Sequence, residues 1–315
     1  MTRILLTRQF PDATVEAAKA LGDVTVRPAA APLQIAEAAE ALANFDAIIC
    51  TLGDDFSDPA FATDTIRCKI IANFGVGYNH VDAEAAKAAG VAVSNTPDTV
   101  TDATADIALT LMLMTCRRAS EGERFARAGL WEGWQPTQML GMHMTGKRLG
   151  IVGMGRIGQA VAQRAHFGFG MPVIYYNRSQ KDVDMPARQV DDLESLMSQA
   201  DVIVVTVPGG PETHHLIDAA ALGQMDDGAI IVNVSRGDVV DEAALITELE
   251  TGRIKAGLDV YEAEPFIPES LRVLDNVTLL PHLGTAALDV REAMGQMAVD
   301  NVAAVLRDEI APNAV

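Results

Sequence analysis

Residues 149–158 read LGIVGMGRIG, a short apolar run followed by the pattern Gly-x-Gly-x-x-Gly. An amphipathic helical pattern follows, and VIYY at 173–176 predicts a second strand. In this setting the first glycine permits a tight turn, the second lets backbone approach a pyrophosphate, and the third lets the helix pack on the sheet. The helix N-terminus adds unpaired N–H groups that suit an anion. The stretch predicts a dinucleotide site at Gly153, Gly155, Arg156, Ile157 and Gly158.

The segments on both sides of this stretch alternate short apolar runs with helical patterns. This alternation predicts parallel sheets with helices on both faces. We therefore expect an α/β fold with two doubly wound domains. Residues 100–285 would form a Rossmann nucleotide-binding domain, and 1–99 with 286–315 a flavodoxin-like substrate domain beside a cleft.

One segment between the two predicted sheets is strongly apolar. Residues 98–118 form a long helical pattern that is apolar around much of its circumference, so we expect it to be buried between domains or subunits. The following stretch, 120–146, contains both tryptophans and is predicted to be irregular.

Composition and charge restrict the class of partner. The chain has 315 residues and a formal net charge of −19, which argues against nucleic acid or an anionic membrane as a partner. The most apolar run, 107–114, is far shorter than the ~20 residues needed to cross a bilayer. Three cysteines, Cys50, Cys68 and Cys116, show no metal-ligand spacing and are interpreted as buried thiols of a cytoplasmic protein.

The histidines give no metal motif. No set of His, Cys and acidic residues has the spacing of a metal site, so the sequence predicts none. The adjacent His214 and His215 are interpreted as surface or helix-capping residues.

Ligands of open α/β sheets bind beyond the carboxyl ends of the strands, which directs attention to three later segments. These read NVSRG at 233–237, GLDVYEAEP at 257–265 and PHLGT at 281–285. In order and spacing they resemble the signature segments of the D-2-hydroxyacid dehydrogenase family, and FGVGYNHVD at 74–82 resembles its substrate loop. The resemblance covers essentially the whole chain and is greatest to glyoxylate/hydroxypyruvate reductases.

The chemistry of these segments agrees with that resemblance. Reduction of a 2-oxo acid needs a cation that holds the carboxylate and polarises the ketone, and Arg236 has a planar fork suited to both. It also needs an acid to protonate the oxygen, and His282 can titrate near working pH. Glu264 can hold the imidazole and favour its protonated form. Singly, these residues could be a surface ion pair, a core-edge histidine and a loop carboxylate. Their joint occurrence after strands favours a catalytic set.

The resemblance implies further contacts. The backbone amides of Val76 and Gly77 would hold the substrate carboxylate, and Leu52 would also contact substrate. Trp134 would reach the cleft of a neighbouring subunit and limit the size of substrate, which implies a homodimer. The competing interpretation is that Trp134 packs in the core or anchors an interface. Asp259 would lie near the nicotinamide carboxamide. The remaining predicted cofactor contacts are Thr104, Val207, Pro208, Thr213, Val234, Ser235, Gly284 and Thr285.

The end of the second nucleotide-domain strand bears on cofactor choice. NAD enzymes place Asp or Glu there to bind the adenosine ribose, whereas this chain has Asn177, Arg178 and Ser179. Without the acidic charge, a 2′-phosphate can be accommodated, so we expect NADP(H) to be preferred, with NAD(H) possible. An ordinary polar turn is the alternative interpretation.

Taken together, the sequence predicts an NADPH-preferring reductase of glyoxylate, hydroxypyruvate or a close relative. An NAD-dependent D-lactate-type or phosphoglycerate-type dehydrogenase stays open. A nucleotide-sensing interaction protein on the same fold is a further alternative, since fold does not fix function. The presence of Arg236, Glu264 and His282 argues against this last one.

Overall fold

The computed structural model describes residues 2–63 and 65–315, which fold as two compact units. The first unit comprises Met1–Val100 and Thr285–Val315, and the second comprises Thr101–Gly284. Each unit contains one sheet in which all strands are parallel. The predicted fold class, two parallel-sheet α/β units, is therefore confirmed.

The first unit has a five-stranded sheet in the order β2-β1-β3-β4-β5. Its inner strands are apolar along nearly their whole length because helices cover both faces of a parallel sheet. The strands are β1 (Arg3–Leu6), β2 (Asp23–Val26), β3 (Ala47–Cys50), β4 (Ile70–Asn73) and β5 (Ala92–Ser94). The helices are α1 (Asp12–Lys19), α2 (Ile35–Asn44), α3 (Asp58–Phe61) and α4 (Ala83–Ala88), together with a C-terminal helix, Leu288–Leu306.

The C-terminal helix completes the core of this first unit. It packs against α1 and against β3, β4 and β5. Its residues Ala298, Val299 and Val302 are buried in one cluster with Ile4 and Ile70 of the sheet. The two ends of the chain therefore share one hydrophobic core.

The second unit has a seven-stranded sheet in the order β12-β11-β10-β9-β6-β7-β8. This is a Rossmann order, and the direction of winding reverses between β6 and β9. The strands are β6 (Leu149–Val152), β7 (Val173–Tyr176), β8 (Ala187–Gln189), β9 (Val202–Val205), β10 (Ile230–Asn233), β11 (Lys255–Leu258) and β12 (Val277–Leu279). The helices are α5 (Thr101–Cys116), α6 (Ala119–Arg127), α7 (Arg156–Phe169), α8 (Leu193–Met197), α9 (Ala219–Gly223), α10 (Glu242–Glu250) and α11 (Glu269–Arg272).

In the region before the glycine-rich turn, one expected helix is confirmed with closer bounds and one expectation is wrong. The helix expected over 98–118 is shorter, because Asp98 and Arg118 have positive φ angles of 71° and 52°. Its buried face packs on α7, β10 and β11 of its own unit, and that packing accounts for its apolar character. The stretch expected to be irregular begins with helix α6, a short and mostly polar helix that contributes no buried side chain to the core.

The three cysteines are buried and form no disulfide, as predicted. Burial raises the pKa of Cys68 to about 12 and that of Cys116 to about 11, so both are held as neutral thiols. None of the helices formed by the described residues has the combination of length and apolar character that a bilayer span requires.

Candidate active site and cofactor site

The glycine-rich turn lies directly after β6, beside the point where the winding reverses. Gly153 has a φ of 98°, and a Cβ there would lie 2.9 Å from the Val207 amide nitrogen. A Cβ at Gly158 would lie 2.3 Å from the Gly153 carbonyl oxygen. Around Gly155, which caps α7, a Cβ would meet no described atom within 4 Å. Open space at a helix N-terminus fits the phosphates of a dinucleotide.

Side chains after β7 support this turn. The Asn177 Oδ1 accepts a hydrogen bond from the Met154 amide at 3.2 Å, and its Nδ2 donates to the Ser179 carbonyl at 2.8 Å. Arg178 forms an ion pair with Glu212, and both side chains are largely exposed. Asn177 therefore braces the glycine-rich turn, while Arg178 and Ser179 are open to solvent.

The segment after β9 forms a second wall of the predicted cofactor site. The Thr213 hydroxyl donates to the Pro208 carbonyl at 2.7 Å, which closes the turn between them. A Cβ at Gly284 would lie 3.4 Å from the Thr104 hydroxyl oxygen, so these two predicted residues are neighbours. Val234 and Ser235 are buried after β10. Thr285 falls in the first unit.

The Arg236 turn is held by the last residue of β10. The Asn233 Nδ2 donates to the Arg236 carbonyl at 2.8 Å, and its Oδ1 accepts from the Ser235 amide and hydroxyl at 3.0 and 2.9 Å. A Cβ at Gly237 would lie 1.9 Å from the Tyr261 carbonyl carbon, so the turn sits directly on the loop after β11. Burial lowers the pKa of Arg236 below its usual value, although the negative charges of Glu264 and Asp238 act to raise it.

The His282 turn is held by the residue after β11. The Asp259 carbonyl accepts from the His282 amide at 2.9 Å. The two carboxylate oxygens of Asp259 accept from the amides of Leu283 at 2.6 Å and Gly284 at 2.8 Å. His282 itself has a positive φ of 54°. Asp259 thus fixes the backbone that carries His282. Burial raises the pKa of the Asp259 carboxyl, although its hydrogen bonds and the charge of His282 act to lower that pKa.

The imidazole of His282 pairs with Glu264. The Nδ1 atom of His282 lies 2.9 Å from Oε2 of Glu264, and the two side chains are 30 % and 35 % exposed. The other oxygen of Glu264 accepts from the Tyr261 amide at 3.0 Å. Burial opposes ionisation of Glu264, but His282, this amide and the charge of Arg236 outweigh it and lower the pKa of Glu264. The three predicted catalytic residues thus share one electrostatic environment.

The predicted substrate loop of the first unit is built in the same way as the Arg236 turn. The Asn73 Nδ2, at the end of β4, donates to the carbonyls of Gly75 at 2.9 Å and Gly77 at 3.0 Å. The Val76 carbonyl accepts from Asn95 at 2.9 Å. Across 2–63 and 65–315, the amides of Val76 and Gly77 have no hydrogen-bond acceptor. Leu52 lies in the turn after β3.

Asn73 and Asn233 were not predicted as site residues. Each is the last residue of a strand that is otherwise aliphatic, and each is at most 1 % exposed. A polar amide at the buried end of an apolar strand is the sequence signal that could have identified both, since buried polar groups require partners.

The predicted size-limiting tryptophan is on the surface of the second unit. Trp134 is 79 % exposed and Trp131 is 60 % exposed. Leu130 and Leu140 of the same segment are also exposed, at 58 % and 65 %. All four residues lie in the segment between α6 and β6 and outside the core of the unit.

Comparison with known proteins identifies the family. Residues 109–284 match the family described as D-isomer specific 2-hydroxyacid dehydrogenase, NAD binding domain. The chain is 41 % identical to the glyoxylate reductase of Thermococcus litoralis, over 99 % of this chain and 96 % of that one. It is 37 % identical to the glycerate dehydrogenase of Hyphomicrobium methylovorum, over 96 % and 95 %.

A solved structure gives the same result. The NADPH-dependent glyoxylate/hydroxypyruvate reductase of Sinorhizobium meliloti, in complex with NADP and malonate, matches with a TM-score of 0.88 and 33 % identity. That match covers 100 % of this chain and 96 % of that one. The resemblance noted from the sequence is confirmed: the chain belongs to the D-isomer specific 2-hydroxyacid dehydrogenase family and is an NAD(P)-dependent enzyme.

Proposed function

We propose that this enzyme reduces glyoxylate, hydroxypyruvate or a close relative to the 2-hydroxy acid, prefers NADPH to NADH, and uses His282 as the proton donor. The observation that carries the proposal is the 2.9 Å hydrogen bond between His282 Nδ1 and Glu264 Oε2, in the unit that contains the glycine-rich turn. A hydroxy-acid dehydrogenase needs such an acid–base pair beside its nicotinamide site.

The residues around the glycine-rich turn would hold the cofactor. The N-terminus of α7 and the open space at Gly155 suit the pyrophosphate, and the segments that carry Val207 and Thr213 would flank the rest. When bound, the nicotinamide supplies the hydride. Everything else in the reaction falls to side chains and amides of the protein.

His282 is arranged to move one proton. Because Nδ1 faces the carboxylate of Glu264, its N–H donates there, and the proton available to substrate is the one on Nε2. As negative charge develops on the carbonyl oxygen during reduction, Nε2–H donates to it. Ionised Glu264 stabilises the imidazolium before this transfer, and its lowered pKa keeps it ionised at working pH.

Arg236 would bind the substrate's carboxylate and ketone oxygens. Its guanidinium stays charged despite partial burial, because a guanidinium does not lose its proton in proteins. One N–H of the fork already donates to the Ser235 carbonyl at 2.7 Å, which restrains its direction. The fixed charge polarises the ketone and compensates for the strongly acidic chain, whose net charge of −19 would otherwise repel an anionic substrate.

Residues 1–99 and 286–315 would form the substrate domain. Residues 100–285 would form the nucleotide-binding domain. In that first unit, we expect the unpaired amides of Val76 and Gly77 to bind a carboxylate and Leu52 to contact substrate. The hydrogen bonds from Asn73 turn the loop carbonyls inward and support this role.

The substrate class rests on the relatives. Glyoxylate reductase and glycerate dehydrogenase are the activities of two of them, and glycerate oxidised at C2 is hydroxypyruvate. Both substrates are small 2-oxo acids without phosphate. The relative from Sinorhizobium meliloti uses NADPH, and the replacement of a strand-end acid by Asn177, with the exposed Arg178 and Ser179 after it, supports the same preference here.

The exposed apolar side chains of Leu130, Trp131, Trp134 and Leu140 support a homodimer. Several large apolar residues exposed on one segment are typical of interfaces, and tryptophans are the usual anchors. Within such a dimer, Trp134 would limit the size of substrate.

A panel of 2-oxo acids tests the proposal. The acids are glyoxylate, hydroxypyruvate, pyruvate and phosphohydroxypyruvate, each with NADPH and with NADH. We expect kcat/KM to be highest for glyoxylate or hydroxypyruvate with NADPH. His282→Gln should lose about 10²–10⁴-fold in turnover while NADPH binding is kept. A preference for pyruvate or for the phosphorylated acid would favour the D-lactate-type or phosphoglycerate-type alternative.

A further inference from the structure

A cluster of metal-ligating side chains lies on the second unit, apart from the His282–Glu264 pair. The rings of His214 and His215 stack with centroids 4.0 Å apart, and His215 Nε2 lies 3.2 Å from Glu262 Oε1. One ligand atom from each of the three residues lies within 4.8 Å of the others. We propose that His214, His215 and Glu262 bind a transition-metal dication such as Zn²⁺, with a fourth position left to solvent.

The orientation of His215 supports a metal on its Nε2 atom. While Nε2 faces Glu262, Nδ1 faces the Asp241 carboxylate at 4.0 Å. Histidines that bind zinc usually direct their other ring nitrogen toward a carboxylate, and Asp241 lies on that side of the His215 ring without a direct hydrogen bond to it. Asp241 is itself fixed, because its Oδ1 caps α10 by accepting from the Ala244 amide at 3.0 Å.

The backbone beneath the two histidines is held in place. His215 has a positive φ of 49°, a conformation that is uncommon outside glycine, although histidine adopts it more readily than most residues do. Its amide donates to the Asp238 carbonyl at 2.8 Å, and the Ile217 amide donates to Val239 at 3.1 Å. A backbone outlier fixed by its neighbours is often found where function requires a particular side-chain direction.

The surroundings suit a dication. Glu242 accepts from the Glu262 amide at 3.4 Å, and Asp241 lies 4.0 Å from the other side of the His215 ring, so both Glu262 and His215 have a further carboxylate nearby. A dication would offset the repulsion among these acids. His214 is exposed, so its ring nitrogens are accessible to an ion from solvent. Because Glu262 lies 47 residues from His215, sequence spacing alone predicted no metal site.

Calorimetric titration of the tag-free enzyme with ZnCl₂ tests the site. We expect a single tight equivalent in the wild type, with affinity reduced roughly tenfold or more in His214→Gln and in Glu262→Gln. His143→Gln removes an exposed imidazole elsewhere and should change nothing. His282→Gln should also bind normally, which separates this cluster from the active-site pair.

Two further readouts complete the experiment. Co²⁺ as a substitute probe should give tetrahedral d–d absorption that disappears in His214→Gln, and Zn²⁺ should raise the Tm of the wild type more than that of this variant. The proposal is overturned if the wild type binds no Zn²⁺, if the His214→Gln and Glu262→Gln enzymes bind it as tightly, or if His282→Gln abolishes binding.

Discussion

His282 Nδ1 lies 2.9 Å from Glu264 Oε2, and this hydrogen bond joins the loops that follow the neighbouring strands β11 and β12. The two residues are 18 positions apart in the chain, so the sheet brings them together. The same carboxylate accepts from the Tyr261 amide, which leaves it little freedom to turn away. The pair is therefore positioned before any substrate arrives.

The pH profile of reduction should depend on this pair. In Glu264→Gln the charge that favours the protonated imidazole is lost, so reductive kcat/KM should begin to fall at lower pH than in the wild type. The loss in this variant should be smaller at low pH than at high pH. Oxidation of the hydroxy acid should rise with pH in both. If reductive kcat/KM falls over the same pH range in the wild type and in Glu264→Gln, the proposed functional pairing of His282 and Glu264 is refuted.

Glu264 should also contribute to stability in a pH-dependent way. Its folded pKa lies below the usual 4.5, so its stabilising contribution is present above that value and is lost as pH falls through the folded pKa. Glu264→Gln lacks this titration, and its Tm should fall less steeply on acidification. The difference in Tm between the two proteins, measured across acidic pH, should shrink as pH falls. A constant difference would show that Glu264 ionises alike in folded and unfolded chains.

Local sequence was sufficient for the parallel strands and for the glycine-rich turn. β7 begins and ends where the apolar run at 173–176 predicts, because a buried parallel strand is apolar on both faces. Helix α6 was missed for the opposite reason, since none of its side chains is buried and charged pairs such as Glu123–Arg127 stabilise it.

The residues proposed to be catalytic could be selected from the sequence alone, whereas the residues that support them could not. Strand ends in an open α/β sheet direct attention to Arg236, Glu264 and His282 without any coordinates. The supporting roles of Asn73 and Asn233 depend on which loop folds over the end of each strand, and tertiary structure determines this. The same holds for Glu262 beside His214 and His215.

Cofactor preference should be reversible at the end of β7. Asn177→Asp with Arg178→Ala introduces a charge that repels a 2′-phosphate and removes a cation that can bind it, so kcat/KM should shift toward NADH. Asn177 also braces Met154, and aspartate keeps that acceptor. Initial rates with both cofactors measure the shift. Equal or better turnover with NADH in the wild type would contradict the proposed preference.

Glu212→Gln is the matched control for that experiment. Its carboxylate pairs with Arg178 at an exposed site, where such pairs contribute little to stability. Neutralising it should free Arg178 and lower the KM for NADPH without affecting the KM for NADH. An equal change in both KM values would show that Arg178 does not contact the 2′-phosphate.

Trp134 should influence substrate size only if its segment meets another subunit. Trp134→Ala should weaken discrimination against 2-oxo acids with larger side chains, because a bulky wall would be removed. The ratio of kcat/KM for glyoxylate to that for a longer 2-oxo acid is the measurement. Trp131→Ala is the control, with sedimentation used to confirm that both variants keep the wild-type oligomeric state. An unchanged ratio in an intact assembly would refute a role in selection.

Asn233 should matter to the reaction although it is buried beneath the Arg236 turn. In Asn233→Ala the Arg236 carbonyl and the Ser235 amide lose their partners, which should destabilise the fold by about 1–3 kcal/mol. The turn should also loosen, so Arg236 would hold substrate less well and KM should rise more than kcat falls. Denaturant unfolding and steady-state kinetics measure the two effects separately.

Asn233→Asp separates a positioning role from general destabilisation. Aspartate keeps the acceptor for the Ser235 amide but cannot donate to the Arg236 carbonyl, so the bond that restrains Arg236 is lost, and denaturant unfolding of this variant measures the added cost of a buried carboxyl. We expect KM for the 2-oxo acid to rise in this variant while NADPH binding stays near wild type, since the glycine-rich turn lies at a different strand end. If KM is unchanged in a folded Asn233→Asp enzyme, the Arg236 turn does not depend on the side-chain amide of Asn233. The loop after β11 alone must then hold the Arg236 turn.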